Sequence, residues 1–328
     1  MSLLLEAQDL SVAFDTPKGQ LQALDSVSLQ LKQGETLGLV GESGSGKSTL
    51  ALTMMRAIAP SKGRILVKGQ EISQLSRRAL RPFRQHMQMI FQDPYASLDP
   101  RMTVRRIIAE PLNALQKHTP DQVEARVQEL LQAVGLPAEA ASLRPAQFSG
   151  GQRQRIAIAR AMSLKPEIII ADEPVSALDV SIQAQIVNLL QDIQQRTAVA
   201  YLVIAHDLPL VHQIADRILV LYLGRVVEEG PAEAIVARPR HPYTAALLAA
   251  TPRIDRGGHK KLILKGDPPS PINRPSGCAF HPRCPAAKPQ CLAETPVLSG
   301  SDEHRAACHF PGAIPPPLDF SAKPKNRR

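Results

Sequence analysis

The densest run of residues with chemistry to offer is Gly41-Glu-Ser-Gly-Ser-Gly46-Lys47-Ser48. It fits the pattern G-x-x-x-x-G-K-[ST], in which glycines let successive backbone N–H groups turn toward phosphates. The binding surface would run from Gly41 through Ser43, Gly44 and Gly46 to Thr49. Lys47 would reach the β- and γ-phosphates, and the Ser48 hydroxyl would ligate Mg2+. The loop must leave a strand and open a helix, and its flanks comply: Thr36–Val40 is apolar before it, and residues 49–58 are helix-compatible after it. The run reads as a nucleoside triphosphate site.

Its acidic partner should stand at the end of a buried strand. Ile168-Ile-Ile-Ala-Asp172-Glu173 meets that need, and Pro174 stops the strand. Asp172 would hold Mg2+, and Glu173 would orient or deprotonate the attacking water. Alone, such a run reads as a strand capped by solvated acids; beside a phosphate loop it becomes the other half of the site. A third cluster, Phe148-Ser149-Gly150-Gly151-Gln152, precedes a helical run over 153–164. A serine and two glycines at a helix start form a second anion-binding surface. One ATP already has its loop, so the second surface makes sense if it closes over ATP held by another subunit. The bland alternative is a flexible glycine loop that caps a helix.

The elements that must position these groups are legible as short apolar runs. Strands are expected at Leu3–Leu5, Val27–Leu31, Thr36–Val40, Ile65–Val67, Met87–Phe91, Ile168–Ala171, Val199–Ile204 and Ile218–Leu221. Helical periodicity appears at Val123–Val134 and Ile182–Ile193. Strands alternating with helices predict an α/β fold with a largely parallel sheet. Residues 103–146 offer no good strand and read as a helical insertion.

Of the 328 residues, 44% are hydrophobic and 21% charged, which excludes wholesale disorder. The longest apolar run, Ala198–Ala205, falls far short of the ~20 residues that a bilayer span needs. No leader pattern opens the chain, so a cytoplasmic protein is expected. The net charge of +9 invites a nucleic-acid or membrane-surface reading, but it is unevenly placed. Residues 1–230 hold 24 Lys/Arg against 23 Asp/Glu; residues 231–328 hold 15 against 7. The latter also carry 17 of the 29 prolines and all four cysteines.

The cysteines are spaced Cys278-x5-Cys284-x6-Cys291-x16-Cys308. In a cytosolic, proline-rich segment with little core of its own, they suggest a metal staple rather than disulfides. An iron–sulfur cluster and zinc are both open, with His281, His304 or His309 able to replace one sulfur in the zinc case, and free thiols are the third option.

Taken in order, the motifs resemble those of ATP-binding cassette (ABC) proteins. Phe148–Gln152 is similar to their L-S-G-G-Q signature, with Phe for the leading Leu. The resemblance implies a P-loop cassette with a RecA-like core and a helical subdomain. It further implies a glutamine at Gln92 that touches Mg2+ and senses a transmembrane partner, and a cross-dimer loop at Ser176-Ala-Leu-Asp179. His206 would lie beside the γ-phosphate, and Phe14 would stack on adenine. Gln92-Asp-Pro-Tyr-Ala-Ser-Leu-Asp-Pro-Arg101, Arg238-Pro-Arg-His-Pro-Tyr-Thr-Ala-Ala-Leu-Leu248 and the segment around Cys278 resemble dipeptide/oligopeptide importer cassettes of the F type.

That resemblance implies an ATPase that powers peptide import, with nickel or glutathione as other family cargoes. It implies a second, D-type cassette in a heterodimer, two membrane permeases, an extracytoplasmic peptide-binding protein, and a place on the cytoplasmic face of the inner membrane. A [4Fe–4S] cluster on Cys278, Cys284, Cys291 and Cys308 is implied in the same way. The expected division is a cassette over 1–230, with its helical subdomain at about 103–165, and an extension over 231–328. The extension would contain the cysteine cluster at 278–308 and end in a disordered basic tail over 315–328. The competing class is an ABC ATPase acting on nucleic acid; the 3% aromatic content and absence of Trp leave little for base stacking, so no nucleic-acid partner is expected.

Overall fold

The computed structural model describes residues 2–115, 118–250, 266–301 and 303–314. The first two strands, β1 (Leu3–Thr16) and β2 (Gly19–Lys32), form a long antiparallel hairpin. After β3 (Thr36–Val40) and helix α1 (Lys47–Met54), β4 (Lys62–Val67) pairs with β1, and β5 (Gln70–Glu71) pairs with β4. The result is a four-stranded antiparallel sheet in the order β2-β1-β4-β5. Alternating apolar and polar residues had suggested only the short cores of β1 and β2. Register shifts at Ala7/Leu10 and Leu10/Val12 interrupt the alternation, so the true strand length is hidden in the sequence.

The second sheet carries the site. In chain order follow β6 (Met87–Ile90), the short helix α2 (Pro94–Ser97), α3 (Val104–Leu115), α4 (Pro120–Ala133) and α5 (Gly150–Met162). Next come β7 (Ile168–Asp172), α6 (Val180–Thr197), β8 (Ala200–Ala205), α7 (Leu208–Ile214), β9 (Arg217–Tyr222) and β10 (Arg225–Pro231). Strands β9, β3, β8, β7 and β6 lie side by side and parallel. Covered on both faces, β3, β7 and β8 are buried at every position, which is why they read as continuous apolar runs. Alternate residues serve different cores: Ile168 and Ile170 pack toward the antiparallel sheet, whereas Ile169 and Ala171 pack toward the helices.

Helices α3, α4 and α5 pack together. Val104, Ile107, Ile108 and Leu112 of α3 join Val127, Leu130 and Leu131 of α4 in one core with α5 and α6. Thr119 opens α4 with a capping box to Gln122.

Strand β10 was not foreseen, because Glu228 and Glu229 interrupt its apolar pattern. Both carboxylates are buried and paired with the segment that follows. Glu228 accepts from the backbone N–H groups of Arg240 (2.7 Å) and His241 (2.8 Å) and pairs with His304 Nε2 at 2.7 Å. Glu229 pairs with Arg305. The extension comprises α8 (Ala232–Ala237), α9 (Pro242–Ala250), α10 (Pro289–Ala293), β11 (Ser299–Ser301) and β12 (His304–Ala306). Its β12 pairs antiparallel with β10, so the extension prolongs the main sheet. The basic stretch 315–328 lies outside the described residues.

Candidate functional site

Parallel strands point the same way, so the residues that leave their C-terminal ends meet along one edge of the sheet. In the order β3, β8, β7, β6, those ends deliver the phosphate loop, His206, Asp172 with Glu173, and Gln92. The pairing registers align them: Val40 is opposite Ala205, Asp172 opposite Ile204, and Ile90 opposite Ala171.

The loop Gly41–Gly46 runs directly into α1, with Gly46 at the cap in a left-handed conformation (φ +105°). A Cβ there would stand 2.6 Å from the Ala23 carbonyl oxygen, so only glycine lets the loop cross β2 at this distance. Lys47 is buried, and its Nζ donates to the carbonyls of Gly41 (2.8 Å) and Glu42 (2.9 Å). Burial lowers its pKa, opposed by the carboxylates of Glu173, Asp172 and Glu42. Next along α1, the Ser48 hydroxyl donates to Asp172 Oδ1 at 3.3 Å. Burial raises the Asp172 pKa and the neighbouring Glu173 adds to it, while Ser48 and Lys47 pull it down. A hydroxyl and a carboxylate held together beside a buried lysine are a donor set that suits Mg2+ carried with a triphosphate. Thr49 lies behind them, its carbonyl accepting from the Thr53 hydroxyl at 2.6 Å.

Glu173 follows at once in a left-handed conformation (φ +46°), its N–H bonded to the Ile204 carbonyl at 2.9 Å. Its Oε2 accepts from Gln92 Nε2 at 3.1 Å and faces His206 Nδ1 at 3.4 Å. Ser176 donates to the Glu173 carbonyl at 3.2 Å, which ties the Ser176–Asp179 loop to the same residue. Gln92, Glu173 and His206, drawn from three strands, therefore converge beside Ser48 and Asp172.

The other expected residues stand apart from this group. Phe14 is on β1 and exposed, a free ring face. Ser149 caps α5 and bonds reciprocally with Gln152: Gln152 N–H donates to Ser149 Oγ (3.3 Å) and Ser149 N–H to Gln152 Oε1 (3.0 Å). Gly150 and Gly151 lie against Leu178 and Ile182, where the glycines also serve close packing on the start of α6.

The four cysteines line one small cavity together with His241, Phe280 and Phe310. Among the described residues, no group of three or more His, Cys, Asp or Glu side chains is set to hold a metal ion. Burial raises the pKa of Cys278, Cys284 and Cys308, the last to about 11, and charge on the neighbouring thiols would raise each further.

Sequence reasoning missed two residues that touch the phosphate loop, Tyr243 and Arg283. Tyr243 Oη accepts from the Glu42 N–H at 2.7 Å, and Arg283 binds both Glu42 carboxylate oxygens, at 2.7 and 3.1 Å. The His-Pro-Tyr run was a visible signal for the first; an arginine between two cysteines gave none for the second.

This arrangement is that of an ABC-type nucleotide-binding cassette, and the comparisons agree. The ABC transporter family matches residues 24–176, and the oligopeptide/dipeptide transporter C-terminal region matches 227–291. The Bacillus subtilis oligopeptide transport ATP-binding protein AppF is 50% identical over 302 residues, covering 90% of this chain and 92% of its own. A Sinorhizobium fredii protein, "Probable peptide ABC transporter ATP-binding protein y4tS", is 52% identical over 298 residues, 90% of this chain and 84% of the other. Among solved structures, the ATP-binding cassette MJ0796, a dimer bound to ADP and Pi after hydrolysis, superposes with a TM-score of 0.65 at 28% identity. It covers 70% of this chain and 99% of that one. The chain belongs to the ATP-binding proteins of peptide ABC transporters; it is an ATPase whose hydrolysis is coupled to transport.

Proposed function

We propose that this chain is the F-type subunit of a di- or oligopeptide importer and works as half of a head-to-tail heterodimer with a D-type cassette. The observation that carries its catalytic part is the convergence of Gln92, Glu173 and His206 beside Ser48 and Asp172. Lys47 and the loop Gly41–Thr49 bind the phosphates, with Ser43 and Gly44 at the loop's crest. Ser48, Asp172 and Gln92 would hold Mg2+, which would supply positive charge to offset that of the phosphates. Glu173 takes the proton of the attacking water, His206 supports the γ-phosphate, and Phe14 stacks on adenine. Ser149–Gln152 face the partner's ATP, so closure needs the γ-phosphate and reverses after hydrolysis.

No described helix is long and apolar enough to cross a membrane. This chain would lie at the cytoplasmic face of the membrane against two transmembrane permease subunits, with a peptide-binding protein on the other side. The relatives' names, a peptide ABC transporter and an oligopeptide transport ATP-binding protein, support the transport role. The cassette is taken as residues 1–230 with its helical subdomain at about 103–165, and the extension as 231–328.

The [4Fe–4S] reading of Cys278, Cys284, Cys291 and Cys308 rests on the family resemblance and on the four thiols lining one small cavity. Among the described residues no three donors are set to hold a metal ion, so the arrangement does not favour iron over zinc. Bound there, the cluster would staple a segment with little core of its own.

Two experiments test these readings. Glu173→Gln should still bind ATP but lose turnover by orders of magnitude and accumulate closed dimers with the second cassette; near-normal hydrolysis would remove Glu173 from the catalytic role. Anaerobically purified chain should absorb broadly at about 400 nm and carry about four irons. Stoichiometric zinc without iron would reverse the cluster assignment.

A further inference from the structure

We infer that Arg283 and Tyr243, both from the C-terminal extension, are positioning residues of the ATP site that set the phosphate loop through Glu42. The inference rests on Gly41–Ser48 being that site. Glu42 is the second residue of the loop and is held twice. Its backbone N–H donates to Tyr243 Oη at 2.7 Å, and its carboxylate takes both terminal nitrogens of Arg283 in a two-pronged pair. The Arg283 side chain is only 7% exposed, so the pair is largely withdrawn from water. Arg283 Nε has no partner of its own, which leaves Glu42 as the group that balances this buried cation.

The loop binds triphosphate by pointing its N–H groups at one spot, and a free carboxylate at its second position would repel the same anion. Arg283 neutralises that carboxylate and fixes its direction, while Tyr243 fixes the peptide beside it. Both anchors are rigid. Tyr243 packs on Tyr222 and Phe280, with ring centroids 4.6 and 5.5 Å away. Arg283 sits in a tight turn in which His281 N–H bonds to the Cys278 carbonyl (2.9 Å) and Cys284 N–H to the His281 carbonyl (3.2 Å). Cys278 N–H in turn reaches the Cys291 carbonyl at 2.8 Å. Any rearrangement of the cysteine segment therefore reaches the phosphate loop through one ion pair.

The test uses the full chain, a fluorescent ATP analogue with Mg2+ for affinity, and steady-state hydrolysis for turnover. Arg283→Gln should weaken binding about tenfold, the scale of losing one partner of a charged hydrogen-bonded pair. Its kcat at saturating ATP should stay within about threefold. Adding Glu42→Gln to Arg283→Gln should restore most of the lost affinity, because the unpaired carboxylate is gone; a merely structural role for Arg283 would show no such suppression. Affinity within twofold of the parent in Arg283→Gln, or no suppression in the double variant, overturns the inference. If Arg283→Gln fails to fold, Tyr243→Phe, which deletes one oxygen, carries the test: about threefold weaker binding supports it and unchanged binding overturns it. Lys47→Ala separates the two levels. If it binds ATP normally, the assignment of the loop itself fails; if it does not while Arg283→Gln does, only the inference fails.

Discussion

Gln92 donates its side-chain N–H to the same oxygen of Glu173, Oε2, that faces His206, and it does so from the end of the neighbouring strand. The carboxylate that would accept a proton is thereby aimed by the residue at the start of the segment that leads toward the helical subdomain. Under the role proposed for Glu173, a shift of Gln92 by about 1 Å would misdirect the carboxylate and so would link a movement outside the site to chemistry within it.

Gln92→Ala removes that aim and leaves the phosphate loop intact. At saturating Mg2+, whose affinity falls with the loss of one ligand, turnover should fall about tenfold, with affinity for ATP changed less than about threefold. An equal loss of both would make Gln92 a binding group rather than an orienting one.

Gly151 of α5 packs against Ile182 of α6. A Cβ there would stand 2.6 Å from Ile182 Cγ2, so in Gly151→Ala either the Ile182 side chain or the two helices must shift. Overpacking costs about 1–3 kcal/mol, whereas Ala gains about 1 kcal/mol over Gly in a helix. The net should be a loss of about 1 kcal/mol in urea unfolding. A gain in stability would mean that Ile182 yields without cost.

His241 is fully buried, and burial holds its pKa down to about 4 despite the opposing charge of Glu228. Its Nδ1 accepts from the Tyr243 N–H at 3.1 Å, which requires the neutral ring. Since the folded pKa lies below the unfolded value near 6.5, the folded state binds fewer protons between the two. Its contribution is complete above about pH 6.5 and is lost as pH falls toward 4, by roughly 3 kcal/mol. His241→Asn, which keeps an acceptor at this position, should flatten the stability profile over that window. A parallel profile in the variant would place the acid sensitivity elsewhere.

Much of the site could be read from the chain because its parts are local. A phosphate loop needs its glycines, lysine and serine within eight residues, and a buried strand that ends in Asp172-Glu173 announces itself by its apolar run. The parallel strands were legible for the same reason: with both faces covered, they tolerate almost nothing polar. Strand β10 was not, because Glu228 and Glu229 look solvent-facing until the residues that pair with them, His304 and Arg305, are brought alongside. The length of β1 and β2 was hidden by register shifts that break the alternation of faces.

What the sequence determined by itself was the set of reactive groups and the kind of strand or helix each one ends or begins, since those depend on neighbours within a few residues. The tertiary structure alone decided which ends meet. The strand order β3-β8-β7-β6 is not the chain order, and it is this order that gathers Gln92, Glu173 and His206 beside the loop. It alone also brought Tyr243 and Arg283 onto Glu42, from 201 and 241 residues away. Pairing between distant segments depends on burial and hydrogen-bond satisfaction across the whole sheet, and no short window of sequence encodes it.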